Sequence, residues 1–125
     1  MKVTLRDIYL ARESFEKIFY DTQFDPIITY KWAKAEIAMN TELKAFHMAR
    51  LKILKPFETE KGEYKIPSEE KDRVLQDIEN LLQIEVEIPN FSLTLVQVSQ
   101  VNGISTMDWV RLDPFIKGET EWKLD

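Results

Sequence analysis

The feature that most constrains this chain is the stretch DPIITYKWAKAEIAMNTELKAFHMARLKILKP, residues 25–56, which holds no glycine and is closed by proline at both ends. Pro26 is compatible with the first helical position, where its missing N–H would have no helical partner, and Asp25 before it supplies a capping carboxylate. Lys55–Pro56 ends the run, because proline removes a donor and disfavours helical geometry in the residue before it. The helix so predicted spans about 40 Å at 1.5 Å per residue, more than the width of a compact domain of this length. The other elements must therefore be laid out along it.

At 100° per residue, Ile28, Trp32, Ala35, Met39, Leu43, Phe46, Arg50 and Ile53 form one stripe of this helix. The preceding segment offers a matching face in Leu5, Ile8, Ala11, Phe15, Ile18 and Phe19, and Thr4 with Asp7 resembles a capping box ahead of a first helix over about residues 5–21. The turn TQFDP between the two helices is so short that they must form an antiparallel hairpin. A second, weaker apolar line runs along the opposite side of the long helix through Tyr30, Ile37, Met48 and Leu51, interrupted by Thr41, Lys44 and Lys55. The simplest expectation is that the second half of the chain covers this line. The alternative is that another molecule does.

Beyond Pro56, Gly62 marks a turn, and Tyr64 and Ile66 alternate with charges as in a short strand over residues 63–66. Ser68 is positioned to cap a third helix to about Leu82, with Val74, Leu75, Ile78, Leu81 and Leu82 at helical spacing. IEVEI, residues 84–88, alternates like a strand with one buried face. FSLTLVQVSQV, residues 91–101, is ambiguous, and its β-branched second half favours a strand over a short helix. Asn102–Gly103 is a turn signal, and Ser105 with Asp108 opens a short helix that ends near Asp113, before Pro114. The fold class expected is α+β and mainly helical: a long antiparallel helical hairpin with a third helix and a small sheet, in a single domain over 1–117 followed by a polar tail, 118–125. Trp122 is the conspicuous aromatic of that tail, and it either folds back on the domain or anchors a partner.

Several functions are excluded or disfavoured by composition. The chain has no cysteine, so disulfides, thiolate metal sites and thiol nucleophiles are absent. Its one histidine, His47, cannot build a multi-histidine metal site, and no serine–histidine–aspartate spacing or nucleophile elbow accompanies it. Three glycines spaced far apart make no phosphate loop. The paired acids lie in highly charged stretches that give no reason for a raised pKa. No catalytic, cofactor-binding or metal-binding residue is therefore assigned, and the chain is expected not to be an enzyme. A formal charge of -5 disfavours nucleic acid as a partner, and the chain has neither a signal-peptide-like start nor an apolar run long enough to span a membrane. Charge is also segregated: the long helix is mainly basic, and residues 58–87 are mainly acidic. That suits docking of one half on the other, or head-to-tail self-association.

MKVTLRDI at the start, the long helix with YKWAKAEIAMNTELKAFHMARLKIL, then LLQIEVEIP and ISTMDWVRLDPFI together resemble a family of short bacteriophage proteins of unknown function. The resemblance covers most of residues 1–116 and rests on element order and spaced apolar positions. It carries no functional residue over. What it implies is context: a phage product in the host bacterial cytoplasm or the virion. The expected function is then that of a non-enzymatic accessory protein binding a protein partner stoichiometrically, whether itself, a virion or tail component, or a host defence protein. Its candidate contact residues are Tyr30, Ile37, Met48, Leu51 and Trp122. The alternative is sequestration of a nucleotide signal in a pocket at an oligomer interface, using Lys31, Lys34 or Arg50 with aromatic stacking.

Overall fold

The architecture was analysed in a computed structural model, which describes residues 1–116. Trp122 and the expected polar tail lie outside the described residues. Within them the chain is a mainly helical α+β fold. A short strand, β1 (Lys2–Thr4), leads directly into α1 (Leu5–Phe19), and a six-residue turn connects α1 to α2 (Pro26–Leu54). The capping box predicted at Thr4 forms in full: the Thr4 hydroxyl accepts from the Asp7 amide while the Asp7 carboxylate accepts from the Thr4 amide. Asp25 caps α2 by accepting from the Ile27 and Ile28 amides, both at 2.9 Å.

Aromatic contacts fix the relative direction of α1 and α2. Phe19 stacks on Trp32 with ring centroids 5.3 Å apart, and Tyr9 meets Phe46 edge to face at 5.7 Å. Late α1 thus faces early α2, and early α1 faces late α2, as an antiparallel hairpin requires. The predicted inner stripe supplies the buried residues of α2, namely Trp32, Ala35, Met39 and Phe46. Leu43, Arg50 and Ile53 are half-buried at its margin.

After α2 the chain makes a 3-10 turn (Lys55–Phe57) and a hairpin of β2 (Glu58–Glu60) and β3 (Glu63–Tyr64). Gly62 takes the left-handed conformation there, φ 84°, which an L side chain adopts only with strain. Then come α3 (Ser68–Leu82) and β4 (Glu85–Glu87). β4 pairs antiparallel with β1, Val3 opposite Val86 and Lys2 opposite Glu87, so the two ends of the sequence's first ninety or so residues are brought together. The expected single small sheet is two separate two-stranded pieces. Strand β1 was not read from the sequence at all, because its partner lies some eighty residues away.

Residues 91–101 correct the strand expectation. They form an extended approach through Phe91 and Leu93 and then a short helix, α4 (Leu95–Ser99), opened by a full capping box between Thr94 and Gln97. Phe91, Leu93, Val98 and Val101 are all buried, so the change of apolar phase in this segment marks the switch from extended chain to helix. The last helix, α5 (Thr106–Leu112), has the predicted Ser105–Asp108 capping box and ends in a 3-10 turn (Asp113–Phe115). Ser68 does not cap α3: it is the helix's first residue, follows Pro67, and makes no capping hydrogen bond.

The core is an aromatic cluster where α1, α2 and the C-terminal segment meet. Phe15 touches Phe19, Phe91 and Phe115, and Phe24 packs edge to face on Trp32. The Trp32 indole N–H donates to the Ser92 carbonyl at 2.9 Å, which satisfies the polar atom of an otherwise buried ring. This anchor ties the Pro89–Ser92 loop to the first turns of α2.

Candidate protein-interaction surface

The second half of the chain does not cover the opposite line of α2. Exposure is 64% at Tyr30, 66% at Ile37, 66% at Met48 and 38% at Leu51, and 70% at Ile27, which the sequence reading left out. The expectation that α3 and the strands close over this line is therefore overturned. The geometric reason is that the core cluster joins α1, the inner stripe of α2 and the C-terminal segment, while α3 packs on α2 and α1 without reaching over Ile37 or Met48.

Ile27 completes a pattern. Ile27, Tyr30, Ile37, Met48 and Leu51, with Lys34, Thr41 and Lys44 between them and Lys55 just past the helix end, form one line stepped alternately by three and four residues. This is the spacing of a coiled-coil seam, a narrow apolar line that stays on one side of a helix for its full length. The signal was available in the sequence by stepping back three residues from Tyr30. From Ile27 to Leu51 the apolar line runs about 36 Å along a helix about 43 Å long.

The seam is basic as well as apolar. Lys31, Lys34, Lys44 and Lys52 are exposed, and among the described residues none of them is in an ion pair. Lys55 lies 3.6 Å from Glu58. The two acids of α2, Glu36 and Glu42, project toward the margins of the inner face and are half-buried. Glu36 accepts a hydrogen bond from the Tyr20 hydroxyl at 2.7 Å, and this contact raises the phenol above its ordinary pKa. The charge segregation seen in the sequence thus only partly neutralises itself within the fold.

The ligand candidates divide. Lys31 and Lys34 come together with Tyr30, whose ring lies 5.7 Å from the Lys34 ammonium, and line an open groove of about 480 Å³ against Pro89, Asn90 and Phe91. Arg50 does not join them. It sits sixteen residues further along α2, about 24 Å away, packed over the Phe46 ring and donating to His47 Nδ1 at 2.8 Å. Because guanidinium only donates, the His47 nitrogen is the acceptor in this contact. His47 itself is exposed, as expected of a helix-surface histidine.

Two other clusters bear on chemistry. A cleft of about 300 Å³ between α1 and α2 is lined by Arg12, Glu13, Glu16, Tyr20, Glu36 and Asn40. Among the described residues, no group of three or more carboxylates and histidines is arranged to hold a metal ion. The second cluster is buried: Asp108 accepts from Ser14 Oγ at 2.6 Å, from Lys17 Nζ at 2.7 Å and from the Ser105 amide at 2.8 Å. Ser14 donates to a carboxylate and is fully enclosed, so it is held as a structural donor rather than poised as a nucleophile. Among the described residues no helix is long and apolar enough to cross a membrane. Comparisons with protein-family models, curated proteins and solved structures found no match to this chain.

Proposed function

We propose that this chain is a bacteriophage accessory protein that works by stoichiometric binding of a protein partner along the outer face of α2. The observation that carries the reading is the uncovered seam: five large apolar side chains, 38% to 70% exposed, all at positions of one three-and-four pattern that runs along most of the longest element. Scattered exposed apolar residues need no explanation, but five of them at seam spacing on one side of a helix mark a surface that a partner helix can bury. The phage context rests on the sequence resemblance alone. Within it, assembly of virion or tail and inhibition of a host defence protein are separated by gene neighbourhood, because structural and early accessory genes cluster apart.

Ile37 and Met48 are each 66% exposed, so the double substitution Ile37→Lys with Met48→Lys is expected to change folding stability by no more than about 0.5 kcal/mol. A photo-crosslinking residue in place of Thr41 captures the partner in a bacterial host. That partner, purified, is expected to bind one to one in calorimetry and to bind the double variant at least tenfold more weakly. Unchanged affinity for the double variant would sink the reading.

A second reading is favoured by the groove at Tyr30, Lys31 and Lys34, which has the aromatic face and paired ammonium groups of a small-anion site. A thermal-shift titration with nucleotides tests it. A rise in melting temperature that Lys31→Gln abolishes would favour it.

A further inference from the structure

We infer that the partner segment is an acidic amphipathic helix, lying along α2 with its apolar stripe on Ile37, Met48 and Leu51 and its carboxylates opposite Lys34, Lys44 and Lys52; this rests on the protein-binding reading above. The charge distribution carries it. No carboxylate of α2 projects onto the outer half of the helix, and Lys31, Lys34, Lys44 and Lys52 have no ion-pair partner among the described residues. A facing helix that matched the apolar positions and carried acids between them would satisfy both halves of this pattern.

A second copy of α2 fits poorly. Packed antiparallel so that Ile27 meets Leu51 and Tyr30 meets Met48, two copies bring Lys34 of each against Lys44 of the other. Packed in parallel and in register, they set each lysine against itself. Either arrangement places like charges inside the seam. The acidic helix α3 is no better a complement, because Leu75 is the one strongly exposed apolar residue that it offers. A lipid surface is also a poorer match. Helices that lie in a bilayer interface keep their cations on the polar rim, whereas Lys34 and Lys44 stand within the apolar line, between Tyr30 and Met48.

The groove at the N-terminal end of the seam adds polarity. There Lys31 and Lys34 lie within one turn of each other and face the Pro89–Ser92 loop, which sets two cations beside the aromatic ring of Tyr30. The partner helix is therefore expected to carry acids at the end seated on this groove as well as opposite Lys44 and Lys52.

Two labelled helical peptides about four heptads long, identical in their leucine seam and carrying either glutamate or lysine at the flanking positions, test the charge directly by fluorescence anisotropy. The glutamate peptide is expected to bind at least tenfold tighter than the lysine peptide, and less tightly as salt rises. The double substitution Lys34→Glu with Lys44→Glu, at exposed positions, is expected to reverse that preference. Equal binding of both peptides, binding of neither, or binding to phosphatidylglycerol vesicles without binding the glutamate peptide overturns the inference. A crosslinked partner whose contacting helix is poor in acids overturns it while leaving protein binding through the seam intact. By contrast, a partner indifferent to Ile37→Lys with Met48→Lys removes both.

Discussion

Asp108 is the residue on which the C-terminal segment is hung. Its capping role at Ser105 is local, but its two carboxylate oxygens also receive Ser14 Oγ and Lys17 Nζ from α1, ninety residues earlier. Burial on its own would raise its pKa. The hydrogen bond from Lys17, the Ser105 amide and the hydroxyls of Ser14 and Ser105 more than offset that, and the carboxyl is held well below the ordinary aspartate range. A carboxyl depressed in the folded state adds stability that is complete above its unfolded pKa of about 3.9 and is lost as pH falls below it. Replacing Asp108 with Asn should cost about 2 kcal/mol at pH 7, since it strands the Lys17 charge against a neutral acceptor. Lys17 is partly open to water, which keeps the cost from being larger. Urea unfolding should show the gap between wild type and Asp108→Asn narrowing by about 1 kcal/mol from pH 7 to pH 3. A gap that stays constant across that range would show that the carboxylate charge is not what holds α1 to α5.

At the level of elements, what a sequence reveals depends on how local the determinant is. The long helix, the hairpin, the caps at Thr4, Asp25 and Ser105 and the turn at Asn102–Gly103 were all legible, because each is decided within a few residues by capping chemistry, proline or apolar period. Strand β1 was not, since three residues become a strand only when Glu85–Glu87 arrives beside them. Helix α4 is the instructive miss. Its β-branched composition spoke for a strand, yet Thr94-Leu-Val-Gln97 is a capping-box sequence, and the box prevails where Val98 and Val101 can be buried at helical spacing. Ser68 errs in the other direction, a capping residue type one position inside its helix. Paired substitutions separate the two cases. Thr94→Ala is expected to cost about 1 kcal/mol, the usual loss for a side-chain cap, whereas Ser68→Ala should be nearly neutral. Chemical denaturation that finds the two equal would show that the Thr94 box contributes nothing to stability.

Across the whole molecule, the sequence located the outer line of α2 but not its fate, because coverage depends on which side of a helix the remaining elements gather. They gather where Phe15, Phe19, Trp32, Phe91 and Phe115 can meet, and a 29-residue helix presents more surface than that cluster and α3 enclose. Trp122, the other sequence candidate for contact, lies beyond the described residues. The exposed seam raises the question of why copies of the chain would not simply pair through it, and the arrangement of lysines supplies an answer that can be tested. In the antiparallel register that matches the apolar positions, Lys34 of each copy opposes Lys44 of the other, so repulsion enters twice for every dimer formed. A single change, Lys44→Glu, turns both of those contacts into ion pairs and leaves Ile27 opposite Leu51 and Tyr30 opposite Met48. Wild type is therefore expected to scatter light as a monomer and Lys44→Glu to shift toward a dimer, with the shift reduced by adding Ile37→Lys and by high salt. A variant as monomeric as wild type would mean that charge is not what keeps the seam open. A wild type already dimeric through α2 would mean that the seam is occupied by its own kind, and the acidic partner would have no place on it.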